Sequence, residues 1–297
     1  MNAYIGEIAA LLVAIFWTIT ALAFEYASVR VGSLAVNMIR LLYAIVFLSI
    51  FTSLQRGMPL PLDASPHAWF WLSLSGFVGF VLGDLFLFKS YTIIGSRISM
   101  LVMTLVPPIT ALCSWIILGE GLTTLNFIGM LLTFSGIVLA VAARNRGKDK
   151  SMKKLPLRGL LFAFGGAVGQ AVGLVLSKLG MGSYDAFSAT EIRIITGIVG
   201  FGIIILVFGK LNNIKLAFRD KKGTIGIFIG SFFGPFLGVS LSLYAVQHAN
   251  TGVAATIMAM VPIFIILPSV LVFKQKITLP EILGAVISVG GVALFFI

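Results

Sequence analysis

The sequence predicts an all-α integral membrane protein of ten transmembrane helices, built as two inverted five-helix repeats. Three observations carry that fold class. The chain is 59% hydrophobic and only 10% charged, with a mean hydropathy of +1.09, values outside the range of soluble globular domains. Its apolar residues fall into runs of about 20, the length that crosses a hydrocarbon core. The second half of the chain repeats the first at fixed spacing.

Taken in order, the spans are expected near 4–25, 34–54, 67–89, 97–117, 125–143, 159–179, 187–209, 224–246, 253–273 and 279–297. "MNAYIGEIAALLVAIFW" lacks a basic leader and a small-residue cleavage site, so it reads as a retained first span. The joints "QRGMPLPLDASP" (55–66), "RNRGKDKSMKKLP" (144–156) and "GKLNNIKLAFRDKKG" (209–223) carry turn-forming and charged residues. Aligning Gly83 with Gly238 also brings Val106-Pro107 onto Val261-Pro262, Thr123 onto Thr278, Gly129 onto Gly284 and Gly136 onto Gly291. Earlier in the halves Gly6 lies on Gly159, and Ile39-Arg40 on Ile192-Arg193. The expected organisation is a first repeat over 1–143, a basic connecting loop over 144–158 and a second repeat over 159–297. An odd number of spans per repeat turns the second copy upside down, and inverted repeats place a binding site near the midplane.

The net charge of +11 is concentrated in two connections, 144–158 and 210–223, a pattern of membrane orientation that argues against a nucleic-acid partner. By the positive-inside rule those two loops face the cytoplasm of a plasma-membrane protein and both termini face outward. One cysteine, Cys113, and two scattered histidines, His67 and His248, argue against an internal disulfide and a Cys/His metal site. No cofactor is expected. No phosphate-binding G-x-x-x-x-G-K-[ST] loop or H-E-x-x-H metal motif is present, and no connection exceeds about 15 residues, which argues against nucleotide hydrolysis and catalysis.

Ionisable residues within spans cost about 2.5–3.5 kcal/mol each on insertion scales and therefore face a cavity or a partner. Glu25, Lys89, Lys178 and Glu191 lie near predicted span ends, where long side chains snorkel to water. Arg40 and Arg193 stand deeper, at matched places in both repeats, consistent with a structural or a gating role. Asp84, in "GDLFLFKS", is the leading site candidate: its stem is too short to snorkel far, and Gly76, Gly79 and Gly83 before it let another helix approach. Asp84 and Lys89 are about 140° apart around an ideal helix, so each needs a separate partner. For Asp84 that partner is a substrate amine, a proton, Arg40 or Arg97. Trp17 and Gln170 occupy equivalent places in spans one and six and form a candidate lining pair facing one another, with ordinary packing as the alternative. Gly165, Gly169 and Gly173 form a small-residue stripe for helix packing. Pro107 and Pro262 interrupt corresponding spans, the usual mark of a carrier's site or hinge.

Several segments in fixed order carry a family resemblance over essentially the whole chain. They are Trp17 in span one, the turn "IGSRISML" (94–101), the proline span "LVPPITAL" (105–112), "LGEGLT" (118–123) and the glycine-spaced "GMLLTFSGIVLA" (129–140). A weaker copy, "ANTGVAATIMAMVPIFIILPSVLVFKQKIT", follows in the second half. The chain resembles the EamA branch of the drug/metabolite transporter superfamily. The resemblance implies a secondary carrier, often an exporter of amino acids or other small metabolites, working by alternating access. Family members are usually described with both termini cytoplasmic, opposite to the charge count here. They also more often carry a neutral aromatic, such as Tyr244 in "GVSLSLYA", than the charged "GDLFLFKS". The expected partners are a small-molecule substrate, a proton as candidate coupling ion, and membrane lipid, with the chain a monomer or weak homodimer. A non-transporting lipid-binding or sensory scaffold is the alternative function.

Overall fold

The computed structural model describes residues 5–118, 121–146, 155–248, 257–271, 274 and 277–294, which form helices joined by short turns, with no strand among them. Most of the basic 144–158 connection, and Glu120, Gln275 and Lys276, lie outside the described residues. Helix α1 (Ile5–Val31) meets α2 (Ser33–Arg56) at Gly32. Ser65 caps α3 (Pro66–Gly76) by accepting the Ala68 N–H. A seven-residue π-turn, Phe77–Gly83, then runs into α4 (Asp84–Val102). After a tight turn over Met103–Leu105 come α5 (Val106–Leu118) and α6 (Thr124–Arg146). The second half holds α7 (Leu157–Met181), α8 (Ala186–Val207), α9 (Leu211–Arg219) and α10 (Lys221–Ser231). A second π-turn, Phe232–Gly238, leads into α11 (Val239–His248). The described residues end with α12 (Val261–Phe264), α13 (Ile266–Leu271) and α14 (Leu279–Ala293).

Seven helical segments among the described residues are long and apolar enough to cross a membrane, and Val261–Leu271 and Leu279–Ala293 are shorter apolar ones. One of the seven, Pro66–Cys113, joins the third and fourth expected spans into 48 residues of helix. It is not straight. Gly95 sits at φ 80° and ψ 160°, a region essentially reserved for glycine. The Ser90 hydroxyl donates to Ser99 at 2.7 Å across that break, whereas nine residues of unbroken helix would separate the two by about 13.5 Å. The chain therefore folds back at Gly95, and the predicted spans lie on its two arms. Gly95→Ala should lower stability by about 1–3 kcal/mol, read as a lower melting temperature. Gly202→Ala is the control, since a Cβ there meets nothing within 4 Å.

The basic joint before span eight is partly ordered as α9, with Ala217 buried and Leu211, Leu216 and Phe218 exposed. A short helix with lysines and exposed apolar side chains is suited to lie in the membrane interface. Its end is fixed where Asp220 accepts the Gly223 N–H at 2.8 Å and pairs with Arg30 at 2.8 Å. The Arg30 hydrogen bond, helped by the Gly223 amide, holds the Asp220 carboxyl below its usual range.

The packing is repeated as the sequence is. The π-turns occupy matched places in the two halves, each ending at one of the aligned glycines Gly83 and Gly238. Each is covered by the first helix of the other half: α7 packs on Phe77–Gly83 and α1 on Phe232–Gly238. At the far side of the bundle α6 and α14 form a close seam, where a Cβ on Gly136 would lie 2.5 Å from the Gly284 carbonyl oxygen. Thr133 and Ser288 tie that seam by donating to each other's backbone carbonyls at 3.3 and 3.2 Å. Large apolar side chains such as Leu54, Phe70, Leu131 and Val207 cover the outside, the surface that lipid requires.

Candidate functional site: a buried ionic cluster between the halves

Where α2, the first π-turn, α7 and α8 converge, the structure brings together Asn37, Arg40, Asp84, Gln170 and Arg193. The π-turn is what aims Asp84. Its backbone N–H reaches the Gly79 carbonyl five residues back, a wider turn than the α-helix makes, and such turns recur at functional sites. Gly79 and Gly83 then let α7 approach to backbone contact, a Cβ on Gly169 lying only 2.6 Å from the Gly83 Cα. That contact carries Gln170 onto the carboxylate, where its side-chain N–H₂ donates to Asp84 Oδ1 at 2.7 Å and to the Gly79 carbonyl at 3.2 Å.

From α2, Arg40 Nη2 forms a close ion pair with Asp84 Oδ2. Asn37 orients both partners: its Oδ1 accepts from Arg40 Nε at 3.1 Å, and its Nδ2 donates to the Asp84 carbonyl at 3.3 Å. Arg40 also lies over the rings of Phe88, Phe80 and Phe24 at 4.8, 5.5 and 5.9 Å. Arg193, its repeat-related counterpart, covers Phe80 at 4.7 Å. The two arginines that the repeat aligns therefore meet at one ring, Phe80, and of the two it is Arg40 that pairs with Asp84. Arg40, Asp84 and Arg193 are 3, 4 and 4% exposed, so the cluster is sealed from both water and lipid. Of the four partners considered for Asp84 from sequence, Arg40 is the one in contact.

Other candidate residues stand elsewhere, for stated reasons. Lys89 is exposed on α4, one and a half turns beyond Asp84 and off its face. Arg97 lies past the Gly95 break and pairs with Glu281 of α14 at 3.0 Å. Trp17 and Gln170 do not face one another. Each instead stands beside the closing glycine of the other half's π-turn, Trp17 at Gly238 and Gln170 at Gly83, because the first helix of each half crosses to cover the opposite repeat. Trp17 and Tyr244 pack against the same apolar group of Ala9, Ala10, Val13, Ala245 and Met258, and Trp17 also packs against the group that holds Phe24 and Phe88. Tyr244 is also stacked on His248 at 3.9 Å. Pro107 and Pro262 stand where their spans are interrupted: each falls in the first turn of a new helix after a tight turn, where its missing N–H costs least.

Two of the expected snorkelling residues are engaged inside the protein. Glu25 accepts hydrogen bonds from the Ser96 N–H at 3.0 Å and from the Ser96 hydroxyl, capping the arm that follows Gly95. Glu191 is fully buried and accepts from Ser49 at 2.9 Å. Lys178 is exposed.

Each end of the bundle carries a polar clasp between the halves. At the Glu25 end are Arg97–Glu281, with Pro262 and a cavity of about 20 Å³ beside them, and Arg30–Asp220. At the other end Arg56 pairs with Asp63 and donates to Ser188, while the Tyr184 hydroxyl donates to Asp63 at 2.8 Å. The Tyr184 hydrogen bond, with Arg56 second, holds the Asp63 carboxyl below its usual range. In a double-mutant cycle, Arg97→Ala and Glu281→Ala should couple by about 1–3 kcal/mol; additive losses in thermal melts would show that the pair does not hold the halves together.

Paired helical halves, apolar outer surfaces and a charged cluster sealed between them define a multi-pass integral membrane protein of repeat architecture. The chain belongs to the EamA-like transporter family, whose model matches it twice, over residues 4–142 and 157–297. It is accordingly a membrane transporter of the drug/metabolite transporter superfamily. A crystal structure of another protein is similar in fold, covering 97% of this chain and 95% of its own at a TM-score of 0.65 and 17% identity. A search of curated proteins found no match.

Proposed function

We propose that the protein is a secondary carrier that moves a small polar organic metabolite, such as an amino acid, across the plasma membrane by alternating access. The carrying observation is the Arg40–Asp84–Gln170 cluster, buried where the first helix of the second half meets the π-turn of the first. Ten spans in two inverted repeats, 1–143 and 159–297, would rock about that point. Asp84 is the ionic contact or proton carrier, and the clasps at the two ends open in turn. The Lys and Arg distribution favours a cytoplasmic Glu25 end and outward termini.

The test is flux through purified protein in liposomes under an imposed pH gradient, using amino acids, nucleosides, sugar phosphates and polyamines. Saturable flux of one class supports the carrier. No flux of any class, with the protein folded, favours a lipid-binding or sensory scaffold.

A further inference from the structure

The buried cluster is charged out of balance. Among the described residues two guanidinium groups, Arg40 and Arg193, share a single carboxylate, Asp84, and that carboxylate's two oxygens are taken by Arg40 and Gln170. Arg193 is buried, 4% exposed, yet no hydrogen bond to its side chain is formed by any described residue, and its Nε is wholly enclosed without a partner. Phe80 covers one face of the guanidinium plane at 4.7 Å, which leaves the hydrogen-bonding edge unused. Beside that edge stands Gly79, where a side chain would come within 3.3 Å of Arg193 Nη2. A buried cation without its own counterion is strongly unfavourable, and a planar guanidinium edge matches a carboxylate bidentately.

We propose that Arg193 is the substrate-recognition residue of this carrier and binds a carboxylate group of the transported molecule, supplying the second negative charge that two buried guanidinium groups need beside the one of Asp84. This rests on the carrier reading above and names its substrate class as carboxylic acids. In the conformation described the cluster is sealed, so the acid enters when one of the two clasps opens. Asp84 already holds Arg40 in an ion pair, and Gly79 brings no side chain against Nη2, where even a Cβ would stand at 3.3 Å.

Thermal-shift measurements on purified full-length protein decide it, using matched acid and amide probes: L-leucine and L-leucinamide, L-phenylalanine and L-phenylalaninamide, glutarate and glutaramide, with inorganic phosphate alongside. A ligand of the folded state raises the melting temperature. The expected result is stabilisation by the acid of at least one pair and not by its amide. In Arg193→Gln the affinity for that acid should fall by about 10- to 100-fold, and Arg193→Lys, which keeps the charge without the fork, should retain part of it. Equal stabilisation by acid and amide, an acid effect unchanged in Arg193→Gln, stabilisation by phosphate alone, or no acid-specific shift in any pair would each overturn the assignment. Should Arg193→Gln fail to fold, the acid–amide comparison on the unaltered protein and Arg193→Lys still decide. Liposome flux is read separately: a carried solute without acid preference sinks the Arg193 assignment alone, whereas absence of flux sinks the carrier itself.

Discussion

Asp84→Ala is expected to remove most of the folded protein from the membrane, whereas Asp84→Asn should leave it folded and stop or uncouple transport. Alanine leaves Arg40 buried without the one carboxylate that pairs with it among the described residues and strips Gln170 of one of its two acceptors. Breaking a buried pair by deleting one partner costs about 3–5 kcal/mol, a large fraction of the about 5–15 kcal/mol that keeps a domain folded. Asparagine keeps an oxygen for Arg40 and the size of the side chain, and Gln170 keeps its bond to the Gly79 carbonyl, so the geometry survives while the charge is lost. Size-exclusion profiles and thermal melts give the first quantity, liposome flux the second. Equal yields of the two variants would mean that the ion pair does not hold the fold. Unchanged flux and pH dependence in Asp84→Asn would reduce Asp84 to scaffolding. Adding Arg40→Met to Asp84→Ala should recover only part of the loss, because Arg193 remains buried without an anion.

Much of this cluster was legible in the sequence because charge in an apolar run is conspicuous. Asp84, Arg40 and Arg193 stand out for that reason alone, and the matched spacing of the two arginines marks them as a pair. That both would reach the same ring, Phe80, was not legible, since it depends on how α8 crosses the end of α3, where a Cβ on Gly76 would lie 2.5 Å from the Arg193 carbonyl oxygen. Asn37 and Phe80 gave no signal: an asparagine and a phenylalanine inside spans read as ordinary packing until their partners are known. Helix-end position misleads for Glu25 and Glu191, because a terminus packed against a neighbouring helix offers hydrogen bonds in place of water. Lys178 is exposed, a position from which a long side chain can reach water. The seven long apolar segments are legible from apolar length, but π-turns leave no mark in hydropathy. Only the repeated "G" positions around Phe77–Gly83 and Phe232–Gly238 hinted that something was shared there.

Gly169→Leu should be among the damaging apolar substitutions, with a loss of about 3 kcal/mol, the upper end of the range for overpacking. The reason is what lies opposite. A Cβ at Gly169 would come 2.6 Å from the Gly83 Cα, 2.9 Å from its N and 3.1 Å from the Val78 carbonyl oxygen. These are backbone atoms of the π-turn that aims Asp84, and no rotamer change can move them aside. Even alanine must push α7 off the turn, drawing Gln170 away from the carboxylate, so Gly169→Ala should keep some folded protein yet lose transport with it. Gly202→Leu, one helix away and facing open space, should melt like the unaltered protein. The comparison separates two causes, since general sensitivity of membrane helices to added bulk would affect both positions alike. Normal melting and normal flux in Gly169→Ala would show that close contact between α7 and the π-turn is dispensable, and the link between the repeated turns and the ionic cluster would fall with it.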